Sequence, residues 1–126
     1  MKAYPPKKHY RWHPGFVFWL LHRLAGLGLA GYLILHIWVL SHLLQGEAEF
    51  KSIMNAFDSP LIRVMEIGLL GLVLFHGLNG IRILLMDYGP MANKESYIKY
   101  LSGTFIIIVI CFLVGGAAML RTLLTH

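Results

Sequence analysis

At 126 residues, with 57% hydrophobic and 13% charged side chains, the chain has too little polar surface for a soluble domain of its size. Its formal charge of +5 is spread over segment ends and forms no basic stripe with interleaved aromatics, which excludes nucleic-acid binding. One cysteine, Cys111, within an isoleucine-rich run, excludes an intrachain disulfide and a cysteine metal site.

In chain order, a basic tail with Lys2, Lys7, Lys8 and Arg11 precedes the punctuation Pro14-Gly15 and a first apolar stretch from about Phe16 to Leu44. That stretch exceeds the roughly 20 residues needed to cross a 30 Å hydrocarbon core. It is too long and too late for a cleaved signal, since His22 and Arg23 interrupt its start and no small-residue cleavage site follows a short apolar run. Gly46 ends it. The segment from about Gln45 to Pro60 carries Phe50, Ile53, Met54 and Phe57, an amphipathic pattern suited to lying along the interface. Ser59-Pro60 opens a second span, about Leu61 to Met86, and Gly89-Pro90 closes it. A third follows from about Tyr97 to Leu120. The fold expected is therefore all-α, a bundle of three transmembrane helices. No repeat or linker divides residues 1–126, which read as a single membrane-anchor domain.

The basic tail faces a first loop with Glu47, Glu49, Asp58 and only Lys51, so the positive-inside rule puts the N-terminus in the cytoplasm. Lys94 and Lys99 then also fall inside, while Arg121 and His126 fall outside. Trp12, Trp19 and Tyr88 lie near the inner boundary, where amphipathic rings collect.

Polar groups within the spans need a reason. The run His76-Gly-Leu-Asn-Gly80-Ile-Arg82-Ile-Leu-Leu-Met-Asp87-Tyr88 places ionisable groups where each costs a few kcal/mol even on lenient insertion scales. A neutral imidazole there has one strong use, donating a lone pair to a metal or haem iron. Gly77 and Gly80 leave little side-chain bulk beside His76, room for something flat and wide. Of the other histidines, His9, His13, His42 and His126 lie in tails or at helix ends and read as ordinary headgroup-region residues. His22 and His36 sit fourteen positions apart, nearly four turns, on roughly the same side of the first helix and about 21 Å apart in rise. If Arg23 and Arg82 mark a common inner level, His76 lies about 9 Å deeper and His36 about 20 Å deeper. Imidazoles offset by about 10 Å cannot clamp one iron, so the expectation is one haem b at His76 with a second possible at His36, the alternative for His36 being a buried histidine hydrogen-bonded to a neighbouring helix. For the charges, an Arg23–Asp87 or Arg82–Asp87 ion pair is the alternative to an anionic ligand.

Two motifs, Leu21-His22-Arg23-Leu-Ala-Gly26 and His76-x-x-x-Gly80-Ile-Arg82-x-x-x-x-Asp87, resemble those of the cytochrome b membrane-anchor subunits of succinate dehydrogenase, the succinate:quinone oxidoreductase of respiratory complex II. The likeness covers the whole chain in length and three-helix layout. It implies that His76 is an axial haem b ligand, with the second axial histidine on a companion anchor subunit. It implies that His22 and Arg23 contact haem propionates and the quinone region at the cytoplasmic side, with Arg82, Asp87, Trp19 and Tyr88 near the same interface. It also implies flavoprotein and iron–sulfur partner subunits, contact with membrane lipid, and a prokaryotic inner membrane. Two departures stand out. Many ubiquinone-using members carry a serine where this chain has Trp19, which makes menaquinone as credible as ubiquinone. His36 resembles the first-helix ligand of the two-haem branch.

Covalent catalysis has no support, for the chain shows no nucleophile paired with a base, no carboxylate pair and no phosphate-cradling loop. Competing readings are the anchor of a quinol:fumarate reductase, a haem-free structural anchor of another respiratory complex, and a small transporter using Arg82, Asp87 and Glu66. The last is disfavoured because these charges leave the midplane without the acidic residues of a proton relay.

The charge bias makes a direct prediction about topology. A reporter active only outside the cytoplasm should be active when fused after His126 and silent when fused before Lys2 or near Asn93. The reverse pattern would invert the orientation.

Overall fold

The computed structural model describes residues 13–88 and 94–125, and these form helices with no strand. Helix α1 spans Pro14–Ser41 and runs into a 3-10 turn, His42–Gln45. Helix α2 spans Glu47–Ala56, α3 Pro60–Tyr88 and α4 Lys94–Leu124. Three segments, Pro14–Gln45, Pro60–Tyr88 and Ser96–Thr122, are long and apolar enough to cross a membrane, with mean hydropathies of 1.8, 1.8 and 2.5. The expected three-span, all-α architecture is thus present, with α2 as the expected amphipathic segment between the first two spans. The basic tail, Trp12, His9, the Gly89-Pro90 punctuation, Asn93 and His126 lie outside the described residues.

The helices begin earlier than the apolar runs because their caps lie upstream. His13 keeps extended backbone and its Nδ1 accepts from the amide of Gly15 at 3.2 Å, with Pro14 in the first turn. Ser59 Oγ accepts from the amide of Ile62 at 3.3 Å, ahead of Pro60. In both, a side-chain acceptor satisfies an orphan amide and proline fills a position that lacks a hydrogen-bond partner anyway. Gly46 separates the 3-10 turn from α2 at φ +114°, a conformation open to glycine and closed to most residues with a Cβ.

Packing is organised around α3, which lies against both α1 and α4. Glycines set the closeness. A Cβ on Gly28 would stand 3.4 Å from Leu72, one on Gly71 3.2 Å from Phe112, and one on Gly115 2.9 Å from Leu70. Small residues allow such approach where lipid tails remove any hydrophobic drive between helices. Buried apolar side chains among the described residues are few, Ala25, Leu101 and Ile108. Large aliphatics such as Leu27 and Ile34 are more than 70% exposed, tolerable only when the surrounding solvent is itself apolar. The outer helices α1 and α4 meet at one end, where His13 faces Tyr97 with ring centroids 6.4 Å apart and Phe18 faces Phe105 at 6.3 Å. At that end the polar residues of the spans gather.

Gly46→Ala should destabilise the protein by about 1–2 kcal/mol, because a Cβ is forced into left-handed backbone. Thermal melting of the purified complex should therefore fall by a few degrees; an unchanged midpoint would show that the turn adapts.

Candidate functional site

The site is built on a contact between α1 and α3. The rings of His22 and His76 stack with centroids 4.1 Å apart and planes 2° from parallel. His76 Nδ1 lies 3.1 Å from the carbonyl oxygen of His22. A carbonyl only accepts, so Nδ1 carries the proton and donates, and the lone pair of that ring is on Nε2. The same carbonyl serves the helix as acceptor for the amide four residues on, that of Gly26, so the imidazole uses its second lone pair. Gly26 makes this approach possible: a Cβ there would stand 2.8 Å from His76 Cε1 and 3.2 Å from Nδ1. Gly80 similarly accommodates His22, whose Cε1 lies 3.5 Å from where a Cβ would be.

Asn79 and Arg82 continue the polar row along α3, each three residues beyond the last. Arg82 Nε donates to Asn79 Oδ1 at 3.0 Å, and one terminal nitrogen approaches Met86 Sδ at 3.6 Å. The guanidinium carbon lies 5.9 Å from the Phe18 ring and 5.7 Å from that of Tyr97, so all three spans enclose it. Arg82 is only 7% exposed and Asn79 is fully buried. Among the described residues no carboxylate lies within 4.0 Å of Arg82 or Arg23, and the ion pairs present are Lys51–Glu47 and Arg63–Asp58. Neither expected alternative pairing with Asp87 is formed. Among the described residues, the buried side-chain nitrogens His22 Nδ1 and Asn79 Nδ2 lack a partner.

The remaining expected site residues lie apart from this row. Arg23 is exposed and rests 4.2 Å over the ring of Trp19. Asp87 is exposed and Tyr88 is 88% exposed. His36 is exposed on α1, its Nδ1 3.2 Å from the hydroxyl of Tyr32 and its ring stacked on that tyrosine at 5.4 Å. His13 and His42 are engaged locally, one capping α1 and the other bonded to the carbonyl of Trp38 at 2.9 Å.

One expected distance is corrected. Arg23 and Arg82 do not share a level, because Arg82 lies beside Phe18, five positions earlier on α1. His76 contacts the turn from His22 to Gly26. His36 is thus ten to fourteen residues further along α1, about 15–21 Å by helical rise and not the 10 Å expected.

Whether these residues suit a haem can be asked of the geometry. The described residues hold no cluster of three His, Cys, Asp or Glu for a bare metal ion. A macrocycle, supplying four ligands itself, needs one nitrogen per face, which Nε2 of a tautomer-locked His76 provides. An arginine with no carboxylate partner among the described residues, and two orphan polar nitrogens beside it, suit propionate carboxylates. The residues fit.

The chain matches, over residues 2–117, the family described as the succinate dehydrogenase/fumarate reductase transmembrane subunit. It belongs to this family. It is 34% identical over 93 residues to the succinate dehydrogenase 2 membrane subunit SdhC of Mycobacterium tuberculosis, covering 71% of this chain and 68% of that one. It is 40% identical over 94 residues to the succinate dehydrogenase hydrophobic membrane anchor subunit of Halobacterium salinarum, covering 72% of each. Within this family of transmembrane subunits, the matched region takes in the whole His22, His76, Asn79 and Arg82 row.

Sequence reasoning did not single out Asn79. The signal was available, since an amide in an apolar run, three residues from both His76 and Arg82, shares their side of the helix.

Gly26→Val should force the His76 ring out of its stack, because that ring is pinned by a hydrogen bond and cannot swing aside cheaply. Overpacking of this kind costs about 1–3 kcal/mol. Thermal melting of the purified complex reads it, and Gly31→Val, at a position where a Cβ meets nothing within 4 Å, should leave the midpoint nearly unchanged.

Proposed function

We propose that this chain is the haem b-binding membrane anchor of a succinate:quinone oxidoreductase in a prokaryotic inner membrane, oriented with its N-terminus in the cytoplasm. In this reading it pairs with a second anchor subunit, holds the flavoprotein and iron–sulfur subunits at the bilayer, and forms part of the site where quinone, menaquinone or ubiquinone, is reduced. The two curated relatives are both named as succinate dehydrogenase subunits, which favours succinate oxidation over fumarate reduction.

The observation that carries the reading is the His76 imidazole. Its Nδ1–H is spent on the His22 carbonyl, which fixes the tautomer, orients the ring and raises the basicity of Nε2, as for metal-bound histidines generally. A haem held there supplies one-electron storage between the soluble subunits and quinone. Arg82 would neutralise and orient a haem propionate, and His22 Nδ1 would hydrogen-bond it. Arg23, braced flat on Trp19, keeps its outer donors available to a quinone carbonyl, whose developing negative charge they stabilise. With Nδ1–H donating to the Tyr32 hydroxyl, His36 keeps a lone pair on Nε2, about 15 Å or more deeper, and would serve as the ligand of a second haem.

The test is haem stoichiometry. In the purified complex, a pyridine haemochrome assay should give about two b haems per flavin. His76→Ala should remove one of them and His36→Leu the other, with subunit composition retained. Full haem content in the His76→Ala complex would overturn the axial assignment. One haem per flavin in fully loaded wild type would remove His36 from it.

A further inference from the structure

We propose that Asn79 is a positioning residue that fixes the guanidinium of Arg82 toward the anionic group of the His76 site; the assignment rests on the haem reading above. Asn79 is fully buried in a bundle that buries very little. Arg82 has donors only, so the asparagine atom 3.0 Å from its Nε must be the carbonyl oxygen. The amide orientation is thereby fixed by chemistry, and Nδ2, a donor with no acceptor, must be the orphan.

That orphan separates two explanations of the residue. An asparagine placed only to satisfy Arg82 leaves a buried N–H unpaired, a desolvation penalty that an apolar residue would not carry. The penalty disappears if an acceptor-bearing group lies beside Asn79 in the working complex. The neighbours agree: among the described residues His22 Nδ1 is also unpartnered, and the terminal nitrogens of Arg82 meet only the weak acceptor Met86 Sδ. This row offers donors and few acceptors, the complement of a carboxylate. By tying down Nε, Asn79 sets the plane of the guanidinium fork and holds the charge within the bundle; without it, a long arginine stem is free to reach for the interface.

A cation held near a redox centre favours the reduced, more negative state, so Arg82→Leu should lower the midpoint potential of the His76 haem. In the purified complex, Asn79→Leu should keep that haem, since His76 is untouched, and lower its midpoint in a redox titration in the same direction by a smaller amount. Because Asn79 acts through Arg82, the shift of the Asn79→Leu, Arg82→Leu double variant should fall clearly short of the sum of the single shifts. If the leucine variant does not assemble, Asn79→Ala removes the same acceptor without added bulk and carries the same expectation. An unchanged midpoint, additive shifts, or failure of both variants to assemble would each overturn the proposal and leave Asn79 structural. A wild-type complex without haem would instead sink the haem reading itself.

Discussion

The hydrogen bond from His76 to the carbonyl of His22 is the interaction on which the polar end of the bundle depends. It joins α1 to α3 through a backbone acceptor that is already part of a helix, so it cannot drift without disturbing the helix itself. It also forces a requirement on the next turn: the imidazole reaches that oxygen only over a residue with no Cβ, which is Gly26. The pairing of Gly26 with His76 then sets the register of α1 on α3. Gly28 against Leu72 continues the same antiparallel alignment, and the placement of Arg82 beside Phe18 follows from it. One bond thus fixes a tautomer, a helix register and the level at which the arginine is enclosed.

This matters because the hydrophobic effect does little here. With the long aliphatic side chains of α1, α3 and α4 largely exposed, the bundle has no core of the kind that holds a soluble domain together. In hydrocarbon, helix association relies on close van der Waals contact at small residues and on polar bonds between helices. The two are divided along α3. Toward α4 the contacts are glycines under Phe112 and Leu70, while toward α1 they are a stacked imidazole pair and a bond to backbone. At Gly71 and Gly115, on the α4 side, a change of side chain alters packing alone. On the α1 side the same change alters packing and chemistry together.

Much of this was legible in the sequence, for identifiable reasons. Spans, caps and the amphipathic α2 follow from local pattern: apolar run length, Pro14 and Pro60 at helix starts, and Gly46 at a break. The two polar motifs were legible because ionisable groups in apolar runs are conspicuous, and their match to the family of succinate dehydrogenase and fumarate reductase transmembrane subunits covers most of the chain. Register between helices was not legible. Treating Arg23 and Arg82 as level was a guess about facing surfaces, and it failed because glycine contacts, not charges, align α1 with α3. An ion pair of Asp87 with either arginine is the alternative that spacing leaves open, and among the described residues Asp87 lies exposed and unpaired. Asn79 was passed over because a neutral amide is less conspicuous than a charge, although burial makes it the most constrained side chain of the row.

The corrected register sharpens the relation between the two histidine levels. His76 lies against the turn from His22 to Gly26, and His36 a further ten or more residues along the same helix, so no tilt of α1 on α3 brings their free nitrogens to one iron. His22 would not join His76 on one iron either, since the two rings lie stacked and parallel with centroids 4.1 Å apart. Each level of this chain would then supply at most one histidine nitrogen to an iron. On the haem reading, a six-coordinate iron at either level needs a histidine from elsewhere, and a second anchor subunit becomes a requirement of coordination chemistry and not only of packing.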